Sequence, residues 1–462
     1  MALLIRDGRI ITPTEDFTGD IYAEHETITR IEPHIDAKLV APGAEIIDAR
    51  GKCVFPGFID PHVHIYLPFM GTYAADDYES ASKAALAGGT TTLIEMICPG
   101  ASDEPVTAFE TWKSKAEKLA AVDYTFHMSV VRFEPHIRDQ FREIVKAGVA
   151  SFKVFLAYKG ALNLSDEDLF GAMRLAKELG VIVTAHCENA DAIDAVQKTL
   201  LAAGKTGPEW HGPSRPPVVE ADGVHHLCTF AELLGTHVYV VHTSCEPAVR
   251  AALEAKKRGV NVWIESVIPH FLLDETYAER PAFEGAKYVM SPPLRAKVNQ
   301  TVLWNGVKTR DISTIATDHA PFRFEDQKKM GREAFTKIPN GIPSVQERVN
   351  LVHTFGVGAG RLALQAMVDA CSTQAAKIFG LYPRKGAIQL GSDADLVVYD
   401  PSYRGTFSKA GSHSKVDYNA YEGWEQKGRA TVVTVRGQVQ ARDGEFVGTI
   451  GRGVFLKRQP TH

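Results

Sequence analysis

The chain has 462 residues, of which 45% are hydrophobic and 23% charged, and its formal net charge is −5. These are ordinary values for a globular protein with a large buried core. The 51 lysine and arginine residues form no basic run, so nucleic acid and anionic lipid are not expected as partners. No apolar stretch approaches the length of a membrane span, so membrane association is not expected either.

The N-terminal segment and the cysteines both favour a cytoplasmic protein. The segment MALLIRDGRIITP carries a charge by Arg6 and has no apolar stretch of signal-peptide length. The six cysteines are scattered without CxxC spacing, and most of them stand in apolar segments. We therefore expect reduced, buried thiols and no disulfide framework.

The two ends of the chain predict one small β-sandwich domain. Residues 1–53 carry short alternating segments around turn signals, as in IRDGRIITP. Residues 385–462 repeat this pattern in KGAIQLGSDADLVVYDP and TVVTVRGQVQARDGEFVG. Because neither end has enough strands for a sheet of its own, we expect the two ends to combine.

Residues 54–384 predict an α/β fold, a (β/α)8 TIM barrel. Apolar runs alternate there with amphipathic helical patterns such as DEDLFGAMRLAKELG. Eight of the runs are typical of strands buried on both faces: VFPGFIDPHVHI, TTTLIEMI, DYTFHMSVV, ASFKVFLAY, GVIVTAHCE, THVYVVHTS, GVNVWIESV and DISTIATDHA. The segment GKTGPEWHGPSRPPVVEAD, residues 204–222, breaks this rhythm and is expected to form a surface or rim loop.

Six ionisable residues stand late in these strands: His62, His64, Lys153, His186, His242 and Asp318. Barrel enzymes keep their active sites at this end of the strands. A single buried histidine is more often a packing residue than a ligand, but such residues on five of eight strands are hard to explain by chance. Histidine nitrogens with a carboxylate oxygen are the ligands expected for zinc or a similar divalent ion.

Lys153, in SFKVFL, is a cation in an apolar strand. On local sequence alone, a lysine that snorkels from the strand end is the simpler interpretation. Burial and neighbouring cations would lower its pKa, so that the amine can be neutral near physiological pH. A neutral amine can capture carbon dioxide as a carbamate, whose two oxygens can contact two metal ions.

The chain resembles the dihydropyrimidinase and D-hydantoinase family of the amidohydrolase superfamily over nearly its whole length. The similarity rests on GFIDPHVH, GGTTTLIEM, SFKVFLAYKG, HCENAD, VVHTSC, EGAKYVMSPPLR, TDHAPF, FTKIPNG, KGAIQLGSDADLVVYDP and VDYNAYEG. It implies two zinc ions per subunit, bridged by carbamylated Lys153 (N6-carboxylysine) and a hydroxide, with the other five ionisable residues as ligands. It also implies a homotetramer, often with the C-terminal tail packed across an interface.

The resemblance implies roles for residues outside the ligand set as well. Tyr158 is expected to stabilise the tetrahedral oxyanion, and Ser291 and Asn340 to hold the cyclic imide. Asp318, as a metal ligand, is placed to move a proton from the hydroxide to the leaving nitrogen. His319 is expected to face the other way and to support the ligands or the fold.

The pocket is expected to be apolar at one end. Leu67, Phe69, Ile97 and Phe155 stand on or near the loops that leave strands one, two and four. This composition predicts that hydantoins with bulky apolar 5-substituents are hydrolysed.

The predicted function is hydrolysis of the cyclic amide of 5,6-dihydropyrimidines or 5-substituted hydantoins to N-carbamoyl amino acids. Dihydroorotase is the nearest alternative, but such enzymes usually have an arginine shortly after the HxH pair, where this chain has Ile65, Tyr66 and Leu67. Allantoinase generally lacks a tyrosine at the position of Tyr158. Catalytically silent scaffold relatives typically have replaced ligands, whereas all six are present here.

Overall fold

The N-terminal part of the chain forms a twisted set of strands. The computed structural model describes residues 2–461. The first five strands are β1 (Ala2–Ile11), β2 (Asp16–Glu24), β3 (Thr27–Glu32), β4 (Glu45–Asp48) and β5 (Cys53–Pro56). β2 and β3 form a tight hairpin, because His25 and Glu26 between them both adopt the positive φ of a type I′ turn.

The middle of the chain forms the barrel. Its strands are β6 (Phe58–Val63), β7 (Pro68–Phe69), β8 (Thr72–Tyr73), β9 (Thr90–Ile97), β10 (Asp123–Ser129), β11 (Ser151–Phe155), β12 (Ile182–His186), β13 (Val238–Val240), β14 (Val262–Val267) and β15 (Thr314–Ala316). All except the hairpin β7–β8 pair with their neighbours in parallel, in chain order. The ring closes where Val63 forms a parallel bridge with His319. The predicted eight-stranded barrel is therefore confirmed.

Helices surround the barrel and supply the outer half of its core. They are α1 (Tyr78–Ala87), α2 (Pro105–Leu119), α3 (Pro135–Ala147), α4 (Asp166–Leu179), α5 (Ala190–Ala202), α6 (Pro217–Leu234), α7 (Glu246–Lys257), α8 (Ile268–Leu272), α9 (Val298–Thr309), α10 (Arg348–Leu351), α11 (Leu364–Val368) and α12 (Gln374–Ile378). The start of α4 is capped by the Ser165 hydroxyl, and its end is marked by Gly180 with φ +65°. Within residues 2–461, no helix has both the length and the apolarity needed to cross a membrane.

The C-terminal strands complete the sheet begun at the N terminus. They are β16 (Leu396–Thr406), β17 (Glu425–Val435), β18 (Gln438–Arg442) and β19 (Glu445–Phe446). The strand order is β19-β18-β17-β16-β5-β1-β2-β3, with β4 beside β1. The prediction that both chain ends build one β domain is confirmed. The exact boundaries, at residues 53/54 and 384/385, stay predictions.

Two further segments bear on the sequence predictions. The segment 204–222 is a rim loop only as far as Pro216, because α6 begins at Pro217, where a proline is well suited to the first helical position. The C-terminal tail packs on the barrel of its own chain: Leu456 N–H donates to Tyr124 O, and Arg458 N–H donates to Gly148 O. The packing of this tail across a subunit interface stays a prediction.

Candidate metal and substrate site

The six predicted ligand residues all lie at the end of the barrel where the carboxyl ends of the strands meet. All six are buried, with exposed fractions of 0% for His62, 7% for His64, 1% for Lys153, 2% for His186, 2% for His242 and 7% for Asp318. His186 ends β12, as predicted. His242 and Asp318 are not the last residues of their strands; each lies two residues beyond the end of its strand.

The backbone turns sharply at three of the predicted site residues. Tyr158, His242 and Asp318 have φ values of +64°, +39° and +52°, in the left-handed region that residues other than glycine rarely adopt. Each costs about 1–2 kcal/mol relative to an ordinary conformation. These turns end or follow the strands and direct the three side chains toward the cavity at the barrel mouth.

His62, His64 and Asp318 form one compact group. The Nε2 atoms of His62 and His64 lie 3.0 and 3.1 Å from Asp318 Oδ1. One possible ligand atom from each residue lies within 4.8 Å of the others. Two imidazoles and a carboxylate at these distances suit a divalent cation such as zinc.

His186 and His242 form a second group beside the first. Their ring centroids are 4.4 Å apart, and the His62 ring lies 5.3 Å from that of His242. Burial lowers the pKa of His186. The pKa of His242 is lowered well below its usual value by burial and by the neighbouring His186. Both imidazoles are therefore neutral at physiological pH, which is the state that binds a metal.

Lys153 points into the barrel, toward the cavity that both groups border. Its neighbour Phe152 packs outward, edge-on against Phe141 of α3 at 5.2 Å, so the alternation of the strand turns Lys153 inward. Its Nζ has no hydrogen-bond partner among residues 2–461. Burial lowers the pKa of this amine to about 8, although Asp318 and Glu265 oppose the shift. A buried, unpartnered amine of this kind fits a site completed by carbon dioxide and metal ions.

Glu265 is a site residue that the sequence interpretation missed. Its Oε1 lies 2.7 Å from His62 Nδ1 and accepts the backbone N–H of His242 at 2.9 Å. Its Oε2 accepts the Tyr239 hydroxyl at 2.8 Å. Burial lowers the pKa of His62, but the carboxylates of Glu265 and Asp318 outweigh it and raise that pKa to about 9. The available signal was one carboxylate inside the apolar seventh strand, VNVWIESV.

Glu188 orients His186 in a similar way. Its Oε2 lies 2.7 Å from His186 Nε2 and accepts Arg215 Nη1 at 2.6 Å. Burial would raise the pKa of Glu188, but Arg215 and His186 lower it to about 2. A carboxylate on one imidazole nitrogen fixes the ring and leaves the other nitrogen for a metal. Glu188 stands two residues after His186, in the HCENAD motif, which was the signal available in the sequence.

A small cavity of about 40 Å³ lies against this group of side chains. It is lined by six of the seven residues predicted to contact the substrate, Leu67, Phe69, Phe155, Tyr158, Ser291 and Asn340, and by His64, Lys153, His186, His242 and Asp318. It adjoins an outer cavity of about 430 Å³, with which it shares Leu67, Phe69, Cys98, Tyr158, Leu162 and Asn340. The two cavities together provide a path from solvent to the buried ligands.

The expectation that Ile97 lines the pocket is wrong. Within the described part of the chain, Ile97 borders neither cavity, and its side chain is fully buried in the cluster that joins strands and helices. The neighbouring Cys98 lines both cavities instead. Because adjacent residues along a strand face opposite sides, the position that faces the cavity at the end of this strand is Cys98 and not Ile97.

Tyr158, Ser291 and Asn340 form the polar side of the inner cavity. Asn340 Nδ2 donates to Ser291 Oγ at 2.9 Å, and the Tyr158 ring lies 5.2 Å from that of His186. Burial raises the pKa of the Tyr158 phenol, although Arg215 partly opposes the shift. The phenol therefore keeps its proton and can donate a hydrogen bond.

His319 lies outside the cavities and supports the fold. Its Nε2 lies 3.0 Å from Asp76 Oδ2, and its carbonyl accepts the backbone N–H of His64 at 2.8 Å. It therefore holds the end of the first strand in place.

Comparison with known proteins agrees with this geometry. The sequence profile of the amidohydrolase family matches residues 53–440. This chain belongs to the amidohydrolase family. It is 42% identical to the D-hydantoinase of Geobacillus stearothermophilus over 459 residues, which cover 99% of this chain and 97% of that protein.

Solved structures resemble the whole amidohydrolase chain. The D-hydantoinase (dihydropyrimidinase) from Thermus sp. superposes with a TM-score of 0.97 at 58% identity, covering 99% of each chain. The dihydropyrimidinase from Brevibacillus agri gives a TM-score of 0.97 at 40% identity, covering 100% of each chain. The protein is accordingly an enzyme, a cyclic amidohydrolase, as the sequence resemblance implied.

Proposed function

We propose that this amidohydrolase opens 5,6-dihydropyrimidines and 5-substituted hydantoins to N-carbamoyl amino acids, using two zinc ions per subunit. The observation that carries the proposal is the unpartnered Lys153 amine, which lies among four histidines and Asp318 beside Tyr158. The homotetramer and the cytoplasmic location stay predictions.

The residues present fit a two-metal site. His62, His64 and Asp318 would hold one ion, and His186 and His242 the other. The neutral amine of Lys153 would attack carbon dioxide and lose a proton, which forms a C–N bond and a carbamate anion between the two groups. When bound, the ions would polarise the amide carbonyl and lower the pKa of water.

Asp318 and Tyr158 would act on the reacting atoms. Asp318 is buried at the cavity wall, and it would take the proton of the attacking water and deliver it to the leaving nitrogen. The Tyr158 phenol, whose raised pKa keeps it protonated, would donate to the oxyanion that forms when the carbonyl is attacked. The C–N bond of the ring breaks as the nitrogen is protonated.

Ser291 and Asn340 would hold the cyclic imide. Their side chains already contact each other, and both line the inner cavity together with the apolar residues Leu67 and Phe69. The imide edge would face the polar pair, while the 5-substituent would point toward the apolar wall. Each methylene that this wall accommodates changes transition-state binding by about 1–3 kcal/mol.

The charges of the outer cavity argue against dihydroorotate, whose carboxylate needs a cation. The cations that line the cavity are Arg215 and Lys159. Arg215 is paired with Glu188 at 2.6 Å, and Lys159 with Asp191 at 2.6 Å. The buried charge of Arg215 is already compensated, and the half-exposed Lys159 contacts two carboxylates, Asp191 and Asp194, which would repel an anionic ring substituent.

A metal analysis and a substrate panel test the proposal. Protein reconstituted with zinc and bicarbonate should hold close to two ions per chain and should hydrolyse hydantoin, dihydrouracil or an aryl hydantoin, with loss of activity after chelation. Dihydroorotate and allantoin complete the panel as competing substrates. At most one ion per chain, or turnover of dihydroorotate in preference to every hydantoin and dihydropyrimidine, would contradict it.

A further inference from the structure

Lys328 is a second fully buried lysine near the cavity, and it has no role in the chemistry described so far. Its exposed fraction is 0%, and no carboxylate of residues 2–461 lies within ion-pair distance of its amine. Its Nζ donates to two backbone carbonyls, that of Val289 at 2.9 Å and that of Gly341 at 2.7 Å. Burying an amine without a counter-ion is costly, so the two hydrogen bonds deserve an explanation.

The two carbonyls belong to the two segments that carry the proposed imide-binding residues. Val289 stands two residues before Ser291, and Gly341 directly follows Asn340. The backbone N–H of Gly341 also donates to Val289 O at 2.9 Å, so the Val289 carbonyl accepts hydrogen bonds from both the Gly341 N–H and the Lys328 amine. The amine therefore joins the two segments at the base of the Ser291–Asn340 contact.

The surroundings leave this unit little freedom to adjust. Gly341 has φ +149°, and a Cβ there would lie 2.3 Å from the carbonyl oxygen of Ala320. The backbone N–H of Lys328 donates to Arg323 O at 2.9 Å, which fixes the turn that carries the lysine. The Arg323 carbonyl thus fixes the backbone of Lys328, and Ala320 limits the Asn340–Gly341 segment. The Lys328 amine links these two parts of the chain.

We propose that Lys328 is a positioning residue for substrate binding, which sets the separation of Ser291 and Asn340 through the carbonyls of Val289 and Gly341. The inference rests on the proposed function, because it assigns those two side chains to the cyclic imide. Lys328 does not touch the substrate, and its effect passes entirely through the two segments.

The test compares Lys328→Met with a matched control. Methionine keeps the length of the side chain and removes its donors, whereas Lys329→Met changes a lysine that lies near the surface and pairs with Glu325. With hydantoin as substrate, Lys328→Met should raise KM by about 10- to 100-fold, the range expected for the loss of two hydrogen bonds. Its kcat should change less than about threefold and its zinc content should not change, and Lys329→Met should match the wild type.

A double-mutant cycle separates positioning from a general loss of stability. If Lys328 acts through Asn340, Lys328→Met should raise KM less than about twofold further in an Asn340→Ala background. Lys328→Gln, which keeps an NH2 donor, should restore part of the affinity, and it carries the test if the methionine variant does not fold.

The outcomes distinguish this inference from the proposed function. Wild-type protein that hydrolyses no cyclic amide removes both. The positioning role alone is overturned if the wild type is active but Lys328→Met has an unchanged KM. It is also overturned if the effects of Lys328→Met and Asn340→Ala on KM multiply fully in the double variant.

Discussion

Lys153 and Lys385 are equally buried, each with an exposed fraction of 1%, but they lie at opposite ends of the barrel in opposite surroundings. The Lys385 amine lies 2.6 Å from Asp123 Oδ2, at the start of β10, and 2.7 Å from Asp395 Oδ2. The Lys153 amine has no hydrogen-bond partner among residues 2–461. Although burial opposes it, the carboxylates raise the pKa of Lys385 above its usual value, whereas burial lowers that of Lys153 to about 8.

The difference shows how the two ends of one barrel divide their tasks. At the closed end, the buried Lys385 amine has carboxylate counter-ions, which serve stability. The open end leaves an amine without a hydrogen-bond partner and places His242 and Asp318 in a strained backbone conformation, which costs stability. Such costs are tolerated where a bound group is expected to complete the site.

The largest expected effect is at the open end. Lys153→Arg should lose all measurable hydrolysis of hydantoin and lose bound zinc, because a guanidinium stays charged and cannot form a carbamate. Lys153→Ala should also be inactive, but it leaves a hole that acetate or propionate can enter. Partial rescue of the alanine variant by these acids, and none by methylamine, is the expected result of an activity assay with added acid or amine.

A control variant and a contradicting outcome complete this test. Lys159→Arg, at an exposed lysine of the outer cavity, should keep its activity and shows that a guanidinium near the site is harmless in itself. Retained turnover and zinc in Lys153→Arg would show that Lys153 is a packing residue. The buried lysines at the two barrel ends would then not differ in function.

At the closed end, Lys385→Met should reduce stability rather than catalysis. Removing the Lys385 amine leaves Asp395 with no cation within ion-pair distance among residues 2–461, which costs about 3–5 kcal/mol. Asp123 and Asp393 keep the guanidinium groups of Arg436 and Arg384 as partners. The urea midpoint should fall accordingly, while kcat of the folded fraction stays near that of the wild type. A surface control, Lys427→Met, breaks the pair with Glu425 and should cost at most about 1 kcal/mol. A large loss of kcat without a change in midpoint would contradict the division of tasks.

A smaller effect is expected at Glu265, which supports a proposed ligand at the open end. Glu265→Gln keeps the size of the side chain but removes the charge that orients His62. Zinc affinity should weaken about 10- to 100-fold, and excess zinc should restore the activity. Tyr239→Phe leaves the charge in place and removes the hydrogen bonds to the other carboxylate oxygen and to the Thr314 hydroxyl, so it should weaken binding less. Equal zinc affinity of Glu265→Gln and the wild type, measured by competition with a chelator, would exclude this supporting role.

The sequence predicted the barrel and the placement of the six ionisable residues because both depend on local patterns. Alternation along the strand turns Lys153 inward, and the parallel order of the strands brings their carboxyl ends together. The supporting carboxylates could not be assigned in this way. Glu265 contacts His62 from a strand 203 positions away in the chain, a pairing that only the closed barrel creates.

Backbone conformation limited the prediction at a finer level. The sequence placed His242 and Asp318 at strand ends, but both lie after the strands at positive φ, where tertiary contacts override local preference. The same limit explains the error at Ile97, because an apolar residue at the end of a buried strand can face either the cavity or the helices, and composition does not decide which.

The smallest expected effect compares Ile97 with Leu67, since one buried methylene is removed from each. Leu67 lines both cavities, whereas Ile97 is fully buried between strands and helices. Leu67→Val should lower kcat/KM for a hydantoin with a bulky apolar 5-substituent about fourfold, which corresponds to about 0.8 kcal/mol for one methylene. The value for unsubstituted hydantoin should not change. Ile97→Val should instead lower stability by about 0.5–1.5 kcal/mol and leave the ratio of the two kcat/KM values unchanged. A changed ratio of the two kcat/KM values in Ile97→Val would show that Ile97 affects substrate binding and is more than a packing residue.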